Sequence, residues 1–137
     1  MLKTNMFLQE KRLLQICVVI GGAVPVSAGL WSVLFGSSSI AGDGLGVSMD
    51  SHFRYLSGLL LAIGLGFWST VPRIETRTAR FRLLTALVIV GGLGRVVSLL
   101  VVGAPSYGML AALVMELGVT PLLCLWQARV TVTLTRT

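Results

Sequence analysis

Four apolar runs, each long enough to cross a bilayer, constrain this chain more tightly than any motif in it. A hydrocarbon core needs about 20 consecutive apolar residues of α-helix, because backbone groups in lipid must be bonded within the segment. The runs cover residues 13–35, 52–71, 81–102 and 107–126. With 12% charged residues and a mean hydropathy of +0.90, a water-soluble bundle of the same helices would have no polar face to offer solvent. The expected fold is therefore all-α: a polytopic membrane protein, one domain over residues 1–137, with four transmembrane helices in an antiparallel bundle.

The basic residues orient it. Lys3, Lys11 and Arg12 precede the first run, Arg73, Arg77, Arg80 and Arg82 lie between the second and third, and Arg129 and Arg136 follow the fourth. The two remaining connections carry no Lys or Arg. Positive residues collect on the cytoplasmic side of short loops, so both termini and the 72–82 loop are expected in the cytoplasm, N-in and C-in. A cleavable signal peptide ending near Val26-Ser27-Ala28 competes with this reading, but the apolar character continues through Phe35, beyond the length of a signal h-region.

The connections are legible too. Residues 36–50 are rich in Ser and Gly and read as an irregular loop, with Asp43 and Asp50 its only charges, and Asp50 or Ser51 is placed to cap the second helix. Pro72 ends that helix, and Gly103–Ser106 is a turn so short that it forces an antiparallel hairpin. Pro121 lies five residues beyond Glu116 and predicts a bend there, as Pro25 does in the first run.

Several functions find no support. The formal charge of +6 sits at segment ends and not in an aromatic-interleaved patch, which argues against nucleic acid. Cys17 and Cys124 have neither CxxC spacing nor a nearby His, so no metal site or dithiol is expected. No nucleophile with an orienting base and no phosphate loop after a strand is present, which makes an enzyme the less favoured reading and leaves no cofactor to assign.

Two charges interrupt the apolar runs. On the expected topology Arg95 lies roughly 10 Å and Glu116 roughly 13 Å below the outer boundary, at 1.5 Å of rise per residue. His52 and Arg54 fall in the first turn of the second helix on the same side, with Asp50 just above. Arg95 shares a helical face with Gly91, Gly92 and Ser98, Glu116 with Gly108 and Ala112, and Arg54 with Gly58, Ala62 and Gly66. Small residues mark helix contacts in membranes, so these charges are expected to face protein. An uncompensated charge at mid-membrane costs about 2.5–3.5 kcal/mol on insertion scales, which predicts an Arg95–Glu116 pair, closed by His52, Arg54 and Asp50.

The strings DSHFRYLSGLLLAIGLGFW and GGLGRVVSLLVVGAPS, with Met115-Glu116 following, resemble an uncharacterised bacterial family, domain of unknown function 4345. The matching positions are His52, Arg54, Gly58, Gly94, Arg95, Ser98, Gly103 and Glu116. The resemblance implies a small four-span protein of the bacterial inner membrane with no assigned activity. A more distant similarity to DoxX-like membrane proteins is one of architecture alone. Two readings stay open: a polar pocket in the outer half that binds a small ligand, a lipid head group or a proton, and an accessory subunit or homo-oligomer in which Arg95 and Glu116 form a structural latch.

Overall fold

In a computed structural model, which describes the backbone of residues 2–38 and 46–135 and the side chains of 8–38 and 46–132, every element among the described residues is helical. Helix α1 spans Leu2–Phe35 and α2 spans Gly46–Trp68, followed by a 3-10 turn at Val71–Arg73. Helix α3 spans Thr78–Val101. The last span is continuous but of mixed geometry: α4 (Tyr107–Val114), a π turn (Met115–Val119) and α5 (Thr120–Thr135). Four of these stretches are long and apolar enough to cross a membrane: Leu8–Phe35, Gly46–Arg73, Thr78–Val101 and Tyr107–Val132. Part of the expected 36–50 loop, with Asp43, and Arg136 lie outside the described residues.

The chain divides into two compact units, residues 17–71 and residues 1–16 with 72–137. In the first, α1 and the downstream α2 run antiparallel, because Val19 meets Trp68 while Val33 meets Arg54. Glycines set their approach. A Cβ on Gly29 would fall 2.8 Å from the Ser57 carbonyl oxygen and 2.7 Å from the Leu61 nitrogen. One on Gly64 would fall 2.7 Å from the Val26 side chain, beside Pro25. The Trp68 indole lies over Gly22 and donates to the Val19 carbonyl at 3.0 Å. The contacts follow a seven-residue spacing on both helices of the hairpin: Gly22, Gly29 and Gly36 on one side, Asp50, Ser57 and Gly64 on the other. A repeat of 3.5 residues per turn keeps one seam facing its partner along two helices.

In the second unit α3 packs antiparallel on the last span: Thr78 meets Thr131 and Arg95 meets Glu116. Its buried interior lies at the 72–82 end, where Leu14, Ile74, Phe81 and Gln127 are fully buried. Gln127 Nε2 donates to the Ile74 carbonyl at 2.7 Å and approaches the Thr78 and Thr131 hydroxyls at 2.9 and 3.1 Å. Lys11 pairs with Glu75 at 2.9 Å. Burial opposes ionisation of Glu75, but its own amide, Lys11 and Arg73 outweigh it and hold the carboxyl below its ordinary range.

Two boundary expectations need correction. Helix α2 begins at Gly46, six residues before His52, because Val47 and Met49 extend the apolar segment and Gly46, at a φ of 71°, supplies the turn into it. Asp50 is consequently one turn inside the helix and does not cap it. The same helix stops at Trp68 and not at Val71, since the Ser69 and Thr70 hydroxyls take the Gly66 and Phe67 carbonyls, both at 2.6 Å. At Pro121, where a bend was expected, the structure shows a widened turn, one of the features at which helices kink. Pro121 has no amide hydrogen, and its ring disfavours the ordinary turn before it. The Thr120 amide instead reaches back five residues to Met115, and its hydroxyl reinforces that carbonyl at 2.8 Å.

Candidate functional site

The five candidate residues resolve into two ion pairs, one in each unit, and an exposed His52. Asp50 and Arg54 form the first at the C-terminal end of α1. Gly36 reverses the chain there with a φ of 67° and donates to the Ser32 carbonyl at 2.9 Å, a conformation that glycine adopts without the Cβ penalty. The end of α1 leaves carbonyls without helical partners. Arg54 Nη1 supplies them, donating to Val33 at 2.6 Å and Leu34 at 3.1 Å, while Nε donates to Asp50 at 2.7 Å. Asp50 in turn accepts from the Ser37 amide at 2.7 Å and its hydroxyl at 2.9 Å. A Cβ on Gly36 would collide with both charged groups.

Arg95 and Glu116 form the second pair, between α3 and the π turn. Arg95 Nε lies 3.0 Å from each carboxylate oxygen, and its hydrogen bond goes to Oε1. Oε2 is buried and accepts no directed hydrogen bond among the described residues. Nη1 donates to the Met109 sulfur at 3.0 Å, and Nη2 has no hydrogen-bond partner among the described residues. Gly92 permits this approach: its Cβ would stand 2.7 Å from Leu117 and 3.1 Å from the Glu116 Cβ. The predicted contact glycines Gly91 and Gly108 meet nothing within 4 Å, so of the face expected around Arg95 only Gly92 is packed tightly.

Beside the pair is an open recess of about 200 Å³ lined by Arg95, Ser98, Leu99, Pro105, Met109 and Leu113. Its polar lining residues are Arg95 and Ser98, and the others are apolar. Glu116 does not line it, and its side chain is 18% exposed against 37% for Arg95. No group of three or more His, Cys, Asp or Glu suited to a metal occurs among the described residues.

Sequence reasoning missed Met109 as a partner of Arg95, since thioethers are weak acceptors and carry no signal in an apolar run. Gln127 was missed because it falls one residue past the expected end of the fourth span. The seven-residue spacing of Gly22, Gly29 and Gly36 was a readable signal of the α1 seam.

Four apolar helices joined by short connections, with charged pairs inside them, define a small multi-pass helical membrane protein. The chain belongs to the family described as Domain of unknown function (DUF4345), whose family model matches residues 13–127. No curated protein and no solved structure matches it.

Proposed function

We propose that this is a small inner-membrane protein, with both termini cytoplasmic, whose Arg95–Glu116 recess binds a small ligand, a lipid head group or a proton in the outer half of the bilayer. The placement is supported by the distribution of Lys and Arg over the connections. The observation that carries the function is an arginine within an apolar span that lines a recess and whose Nη2 has no hydrogen-bond partner among the described residues, since ionisable groups within a membrane are expensive and by default functional. The ligand role rests on Arg95 and Glu116 alone; Asp50 and Arg54 serve the end of α1. The test is to express Arg95→Gln and Glu116→Gln and measure thermal unfolding in mild detergent together with co-purifying small molecules by native mass spectrometry. The proposal expects folded variants that have lost the bound species. Equal loss of folding in both variants would make the pair a structural latch.

A second reading is a subunit of a homo-oligomer or larger membrane complex. It is favoured by Gly91, Gly94, Gly108 and Gly118, each with nothing within 4 Å of its Cβ position, because small residues without neighbours leave room for another helix backbone. A strictly monomeric mass at all gentle detergent concentrations would count against it.

A further inference from the structure

We propose that the recess takes an oxyanion on the end-on edge of Arg95 and that Glu116 couples this binding to uptake of a proton. The inference rests on the ligand-binding reading of the recess and adds its chemistry. A guanidinium recognises oxyanions through two parallel donors. Here the side-on edge is held through Nε by Glu116, whereas the end-on edge has, among the described residues, the Met109 sulfur on Nη1 and no partner on Nη2. A thioether is a weak acceptor, so it is a place-holder that an oxyanion displaces. The recess continues the seat with Leu99, Pro105 and Leu113, walls suited to the hydrocarbon part of an amphiphile, and Ser98 adds a hydroxyl donor.

The coupling follows from charge. With Glu116 ionised, Arg95 is already neutralised and an arriving anion meets a carboxylate directly behind it. Protonation of Glu116 takes one proton from solution and restores the net positive charge that the anion needs. Among the helices packed against Glu116, Arg95 is the charged group facing it. The other titratable side chains of those elements are Arg80 and Arg82 on α3 and Tyr107, Cys124 and Arg129 on the last span. The wide turn containing Glu116 adds a reason to expect function at this place, since π turns inside helices recur at functional sites.

Calorimetry on the full chain in zwitterionic nanodiscs tests this with three probes. Decanesulfonate keeps its charge at every pH used, decanol has the tail without the charge, and methanesulfonate has the charge without the tail. Wild type is expected to bind decanesulfonate about tenfold more tightly at pH 5 than at pH 8, a coupling of ordinary size. Glu116→Gln is expected to bind tightly at both pH values, and Arg95→Gln at neither. Equal affinity for methanesulfonate identifies a free oxyanion as the ligand; preference for decanesulfonate identifies an amphiphile. Binding that ignores pH in both wild type and Glu116→Gln overturns the coupling while the recess remains a ligand site, and so does binding of decanol alone. Failure of the folded wild type to bind any of the three probes overturns the ligand reading itself. If the Glu116 and Arg95 variants fail to fold, Met109→Leu, close in volume, decides: the oxyanion should bind severalfold more tightly without the competing sulfur, and unchanged or weaker binding refutes the seat.

Discussion

Asp50–Arg54 and Arg95–Glu116 are both Arg–carboxylate pairs within apolar segments, yet their surroundings put them to different uses. Arg54 and Asp50 stand where a helix ends, so they meet carbonyls and an amide that the helix cannot satisfy, and both side chains are absorbed into closing the α1–α2 connection. Arg95 and Glu116 stand within helices and not at a helix end, so Arg95 finds its partner and a sulfur. The first pair is consumed by structure. In the second, Nη2 of Arg95 has no hydrogen-bond partner among the described residues.

The largest expected effect tests the structural half of this contrast. Gly36→Val forces a β-branched residue into a left-handed backbone and pushes a side chain into both Arg54 and Asp50. It should cost about 2–3 kcal/mol in a denaturant titration of the detergent-solubilised protein. A cost no greater than that of an exposed substitution would mean that the Asp50–Arg54 pair holds nothing together.

Next in size, Gly92→Ala places a methyl against Leu117 and the Glu116 Cβ. Overpacking at such a contact costs about 1–3 kcal/mol, and the value should lie in the lower half because the Leu117 side chain can give way. The same variant should weaken anything bound beside Arg95, since it separates α3 from the π turn. Unaltered binding alongside lowered stability would detach the recess from the helix spacing.

Glu116→Gln should be smaller still in stability, about 1 kcal/mol, because the amide can still accept from Arg95 Nε and so leaves the guanidinium a polar partner. A stability loss as large as that of Gly36→Val would erase the distinction between the two pairs.

The smallest effect belongs to Lys11–Glu75, a control remote from both pairs in sequence. The Glu75 carboxyl is held below its ordinary value in the folded chain, so its contribution is complete above the unfolded pKa and disappears as the pH falls through the lower folded one. Lys11→Met should flatten this acid-side decline in unfolding midpoint measured from pH 6 to pH 3. An unchanged slope would remove Lys11 from the account.

Much of this was open to reading in one dimension. Span number follows from lengths of apolar sequence, and the Arg95–Glu116 pair from the cost of leaving either charge alone in hydrocarbon. The start of α2 was not legible, because a Ser/Gly-rich stretch reads as loop even where its last residues continue the helix. Nor was the fate of Arg54 legible: helical periodicity places it on a face with Gly58 and Ala62, but besides Asp50 its partners are two α1 carbonyls, about 20 residues away. The π turn was half visible, since Pro121 announces a disturbance without saying whether the helix bends or widens.

By itself the sequence determined what solvent demands: four helices of bilayer-crossing length and charges that must find partners. Those are decided by transfer free energies and chain length, which are local. Only the tertiary structure decided which charges are used up, because that depends on what backbone each side chain meets. At the end of α1 unsatisfied carbonyls claim Arg54, while between α3 and the π turn no helix ends and Arg95 meets Glu116 and the Met109 sulfur beside the recess.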